Sequence, residues 1–182
     1  MQGIFQKENT DKSLKYGIYR HLPTYEKIIR NLVSFYYRNR HDINHFLKVW
    51  SFAKTIGEKE GLDEDTQKIL ELTAVVHDIA CPLCREKYGN ANGKMQEKES
   101  APLVDAFFAE LPVEKQKVER IRWLVEHHHT YTDVKSADHQ ILLEADFLVN
   151  ADESGYSEEV IENTCKNIFR TSTGTHLLKS MY

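Results

Sequence analysis

Apolar residues recur at three- and four-residue intervals through most of this 182-residue chain, and that spacing predicts helices. Ile69, Leu70, Leu72, Val75, Val76, Ile79 and Ala80 spread so widely around one helix that most of its faces must be buried. Asp63 or Asp65 can cap its start, because a short carboxylate accepts from the free N–H groups of a first turn. Pro82 disfavours helical geometry at Cys81, so the spacing predicts an end near Ala80, with His77 and Asp78 in the last turn. Upstream, Pro23 opens a helix carrying Tyr25, Ile28, Ile29, Leu32, Val33, Phe35 and Tyr36. A second helix runs from about Asp42 to Glu60, with Gly61 as its left-handed terminator.

Downstream, helices are predicted from Glu97 or Ser100 to Leu111, with Pro102 confined to the first turn, and from Pro112 and Val113 to the run His127-His128-His129. Others span Ala137 to Ala151, follow the cap residue Ser157, and close the chain with Leu177 and Leu178. Alternating strand patterns and repeats are missing from the sequence. The expected fold is therefore all-α, one bundle of about six to eight helices over residues 22–182, preceded by a polar segment over residues 1–21. Between Cys81 and Lys98 the periodicity fails. That stretch holds Gly89, Asn90, Asn92 and Gly93 with Arg85, Lys87 and Lys94, and reads as a long irregular loop of the kind that is functional or solvated.

Composition narrows the function classes. Net charge is −4, which argues against a general nucleic-acid surface. No apolar run approaches the roughly 20 residues of a membrane span. The polar N-terminus lacks the apolar stretch of an export signal, and with three cysteines the expected setting is a reducing cytoplasm. Cys81-x-x-Cys84 lacks the second pair a zinc site needs and the preceding strand of a thioredoxin-like motif, so it reads as two small residues at a helix end.

The candidate chemistry lies in polar residues on apolar faces. His45 is in phase with Val49, Phe52 and Ile56; His77-Asp78 ends the most apolar helix; Asp146 sits among Ala145, Phe147, Leu148 and Val149. Burying an ionised carboxylate without a partner is costly, so these aspartates require a cation or several donors. His41-Asp42 repeats the dipeptide but stands among Asn39, Arg40 and Asn44, and reads as the polar lead-in to its helix. Two imidazoles and two carboxylates form a mixed N/O donor set suited to Mn²⁺, Mg²⁺, Fe²⁺, Co²⁺ or Ni²⁺. His127 and His128 stand close behind at a helix end.

The order of His45 in NHFLKVWSFA, His77-Asp78 in LTAVVHDIA and Asp146 in LLEADFLVN resembles the H…HD…D pattern of the HD-domain metal-dependent phosphohydrolase superfamily. KYGNANGKMQEKE and LVEHHHTYT look like a small stand-alone hydrolase subgroup. The resemblance implies an all-α fold around a metal, with His45, His77, Asp78 and Asp146 as ligands. Two-metal members use further histidines, which map to His127 and His128. Such members often also place a histidine near the start of the fourth helix, where this chain has Gln96, Glu97 and Glu99.

The expected activity is hydrolysis of a nucleotide or other small phosphate ester by a metal-activated water. Arg85, Lys87 and Lys94 are the expected phosphate-binding cations, and Asp78, Glu97 and Glu99 the acids that orient the water or move its proton. Two other readings use the same residues: a nucleotide- or metal-binding sensor without turnover, and a di-iron lyase or oxygenase requiring His127 and His128. An oligomer is compatible with all three.

Overall fold

A computed structural model describes residues 24–182; the polar N-terminal segment and Pro23 lie outside the described residues. The chain runs α1 (Thr24–Phe35), α2 (Arg40–Glu60), α3 (Glu64–Val76), α4 (Cys81–Tyr88), α5 (Gly93–Phe108), α6 (Lys115–Val125), α7 (Ala137–Glu153), α8 (Glu158–Asn167) and α9 (Ser172–Met181). No strand forms among the described residues, so the fold is all-α as the periodicity requires.

The apolar helix is at the centre. Asp63 caps α3 by accepting from the backbone N–H groups of Asp65 and Thr66. From there Leu70 and Ala74 face one core with Val49, Ala53, Ile56, Leu124, Ile141 and Leu148. Leu72, Val75, Val76 and Ile79 face a second core with Ile28, Leu32, Phe46, Val104 and Ile121. Helix α3 thus separates two apolar layers, with α2 and α7 packed on it and on each other. Helices α2 and α7 and the turn that follows α3 carry the candidate ligands. Gly61 ends α2 at φ 76°, and Ser157 caps α8 by accepting from Val160 N–H.

Local stop and start signals resolve differently from expectation in four places. Helix α3 ends at Val76, and residues 77–80 form a turn held by Ile79 N–H to the Val76 carbonyl and Cys81 N–H to the Asp78 carbonyl. Pro82 does more than end a helix, because it occupies the first turn of α4, where a missing N–H costs nothing. The stretch Cys81 to Lys98 is therefore mostly helical. Gly89, at φ 75°, terminates α4, and the Asn92 side chain caps α5 by accepting from Lys94 N–H. Pro102 lies inside α5, which forgoes the bond that an N–H at this position would donate to the Lys98 carbonyl. Helix α6 stops at Val125, so the three consecutive histidines lie beyond it.

The last helix is tied to α7 by buried Glu144. Its carboxylate accepts from Arg170 N–H at 2.7 Å, Thr171 N–H at 3.0 Å and the Gln140 amide at 2.8 Å. Gly174 lies close beside it, where a Cβ would stand 2.0 Å from the Glu144 Oε2 and displace that carboxylate.

Candidate metal centre

Each side of the site comes from a different helix. His45 lies on the face of α2 that also buries Phe46 and Val49. His77 is the first residue past α3, and Asp78 follows it in the turn whose carbonyl accepts from Tyr36 Oη at 2.7 Å. Asp146 is buried on α7, where Asn150 one turn later donates to its Oδ1 at 2.8 Å.

These side chains converge. His45 Nε2 is 3.2 Å from His77 Nε2, 3.3 Å from Asp146 Oδ1 and 3.5 Å from Asp78 Oδ2. His77 Nε2 is 3.5 Å from Asp146 Oδ1 and 3.7 Å from Asp78 Oδ2. Such separations suit ligands held roughly 2.0–2.2 Å from a common centre.

The hydrogen bonds on the far ring nitrogens settle which atoms face inward. His77 Nδ1 donates to the Ala74 carbonyl at 2.8 Å, and His45 Nδ1 donates to Glu153 Oε2 at 2.8 Å. Both partners only accept, so the Nδ1 atoms carry the protons. In the neutral rings the two Nε2 atoms then present lone pairs to each other across 3.2 Å, an arrangement that needs a positive charge between them. The surrounding carboxylates favour positive charge at this point. Burial opposes charge on His45, but the Asp146 hydrogen bond and the Asp78 and Asp146 charges outweigh it and push the imidazole up to about 9. Burial likewise opposes ionisation of Asp78 and Asp146, and the surrounding histidines nevertheless hold both below the usual carboxylate range. The donor set fits a divalent cation.

A second group adjoins the first. Asp78, His128 and His129 bring one ligand atom each within 4.8 Å of one another. His128 Nε2 is 3.4 Å from Asp78 Oδ1, whereas Oδ2 faces His45 and His77, so Asp78 stands between the groups. His128 Nδ1 donates to the Val125 carbonyl at 2.7 Å. Its buried Nε2, that of His129 and the Gln96 Oε1 have no hydrogen-bond partner among the described residues. Burial, then the neighbouring His128, pushes His129 down to about 4. The start of α5 presses on this group: a Cβ at Gly93 would stand 2.6 Å from the His129 ring.

The structure redistributes several candidates. His127 is not in either group; it stacks on Trp123 with ring centroids 4.2 Å apart and bonds the Trp123 carbonyl. His129, which was not among the candidates, takes its place. The signal was present in the triplet, but helical phase stops applying once α6 ends at Val125. Arg85 makes two bonds to Asp42, at 2.6 and 2.9 Å. Lys87 and Tyr88 both donate to Glu99 Oε1, at 2.7 and 2.5 Å. Glu97 Oε1 accepts from His129 N–H and Thr130 Oγ1, both at 3.1 Å. Lys94 is exposed on the first turn of α5. Cys81 and Cys84 are buried free thiols, and burial pushes both thiols up.

Comparison with known proteins decides the family. The HD domain family model matches residues 42–156, which include all of His45, His77, Asp78 and Asp146. The chain belongs to the HD domain family. HD domains bind divalent metal ions, and the described residues of this member include two groups of side chains able to hold one. Among solved structures it is similar to a predicted HD superfamily hydrolase from an uncultured Thermotogales bacterium. The two share 20% identity over 92% of this chain and 89% of that one, with a TM-score of 0.60; at that identity the likeness is one of fold. No curated protein matches. No helix among the described residues is long and apolar enough to cross a membrane.

Proposed function

We propose that this HD protein is a metal-dependent phosphohydrolase acting on a nucleotide or another small phosphate ester. The observation that carries the reading is the pair of imidazole Nε2 atoms facing each other 3.2 Å apart, flanked by the carboxylates of Asp78 and Asp146. His45, His77, Asp78 and Asp146 would hold the ion. A bound divalent ion polarises a phosphoryl oxygen and lowers the pKa of a water in its shell. Asp78 is the open side of the set. Its side chain is 23% exposed, against 6% or less for the other three, so substrate and water approach beside it.

The remaining roles fall to residues around that opening. Of the three candidate cations, Arg85 is engaged by Asp42 and Lys87 by Glu99, which leaves Lys94 at the start of α5 to neutralise the phosphate. Glu97 is tied to the His129–Thr130 turn, so it is the better placed of the two glutamates to orient a water.

A second ion is favoured by one feature, the division of the Asp78 oxygens between His45 with His77 and His128. One tightly held and one weakly held ion is the expected occupancy. The experiment is elemental analysis of protein purified without chelator, followed by a screen of nucleotides and small phosphate esters with Mn²⁺, Mg²⁺, Fe²⁺, Co²⁺ and Ni²⁺. Turnover that disappears in His77→Ala supports the hydrolase. Stoichiometric metal with no turnover of any ester would favour the sensor instead.

A further inference from the structure

His45 is oriented differently from the other histidines of the site. His77 and His128 each donate Nδ1–H to a carbonyl three residues back in their own chain segment, so local backbone aims those rings. His45 Nδ1 donates to a carboxylate 108 residues away, Glu153 Oε2, at 2.8 Å. The Glu153 side chain is 10% exposed, and its other oxygen, Oε1, takes Lys48 Nζ at 3.1 Å. Glu153 is the last residue of α7, the negative end of the helix dipole, where a carboxylate is disfavoured unless cations or donors hold it. Asp146 lies seven residues earlier on the same helix, about two turns away and on the same face. His41 approaches the same Glu153 Oε2 to 3.7 Å, with its ring parallel to that of His45 at 6.5 Å.

From this geometry we infer that Glu153 is the positioning residue of the metal centre. It fixes His45 as the Nδ1–H tautomer with Nε2 aimed at the ion. One helix, α7, then supplies a ligand through Asp146 and controls a second ligand on α2 through Glu153. The inference rests on the metal reading above. A carboxylate that orients a ligating imidazole typically changes metal affinity by about 10–100-fold when removed.

The test compares Mn²⁺ binding, and the ¹⁵N shifts of His45 in the metal-free protein above about pH 10 where its ring is neutral, in the wild type, Glu153→Ala, Glu153→Gln and Lys48→Ala. Glu153→Ala is expected to weaken Mn²⁺ binding by about 10–100-fold and to release His45 into a mixture of tautomers. Glu153→Gln retains an acceptor without the charge, and is expected to keep the tautomer and lose less affinity. Lys48→Ala removes only the exposed partner, so binding should stay within about threefold, as for an ordinary surface pair. If Glu153→Ala fails to fold, Glu153→Gln carries the test through its affinity loss at unchanged tautomer. Wild-type affinity and tautomer in both Glu153 variants would overturn the assignment while leaving the metal reading intact. A wild type that takes up no Mn²⁺ would overturn both.

Discussion

The chain contains the dipeptide His-Asp twice, and the two copies end in opposite electrostatic situations. Asp42 is buried but closed: Arg85 bonds both of its oxygens, and the Asn39 amide adds a third contact at 2.7 Å. Asp78 is surrounded by the imidazoles of His45, His77 and His128, with no guanidinium or ammonium among its salt-bridge partners. His41 is 69% exposed and His77 fully buried. The same two residues therefore make a satisfied ion pair in one place and an open donor set in the other. What separates them is the partner that the fold delivers. A guanidinium fills a carboxylate's acceptor sites permanently, whereas an imidazole can release its proton and turn a lone pair to a metal ion beside the carboxylate.

The pairs are also coupled. Arg85, which closes Asp42, comes from α4, the helix that follows the Asp78 turn. His41 shares Glu153 with His45. The outer pair braces the inner one without contributing an atom to either ligand group.

Four measurements break or sharpen this contrast, the largest effect first. His77→Ala should lower metal affinity by at least about 100-fold, since it removes a direct ligand, and His41→Ala should leave the metal content of purified protein unchanged. The reverse pattern in elemental analysis would assign the centre to the wrong pair. Asp42→Asn should cost about 1–2 kcal/mol of stability in denaturant unfolding, because Arg85 is partly exposed and rehydrates, while the metal stoichiometry stays the same. A loss of metal in this variant would show that Asp42 does more than brace. His128→Ala should reduce binding of the first ion by less than about tenfold, while abolishing any second one. A titration showing equal loss at both sites would merge the two groups into one. Lys94→Ala should raise KM severalfold, the effect of a single exposed charge on a phosphate, at unchanged metal affinity. Identical kinetics on every ester tested would return Lys94 to an ordinary surface lysine.

Much of this was legible in the sequence because it depends on short-range chemistry. Helical spacing determined the all-α class, since α3 alone carries five apolar residues at 1% exposure or less, Leu70, Leu72, Ala74, Val75 and Val76. Asp63 and Ser157 announced their caps through side chains, and Gly61 through the lack of one, and all three act within three or four residues. The cost of burying a charge was enough to single out His45, His77, Asp78 and Asp146 as partners before any contact between them was known. Tertiary structure decided whatever depended on direction or on distant partners. Sequence cannot say which of three adjacent histidines points inward once the helix has stopped, and it is the turn after Val125 that sends His128 and His129 to Asp78 and His127 to Trp123. Nor can it show that Arg85 belongs to Asp42, or that Glu153 aims His45 from 108 residues away. A carboxylate reads the same in sequence whether an arginine, an imidazole or an ion awaits it. Only packing α2, α4 and α7 around the end of α3 distributes those partners.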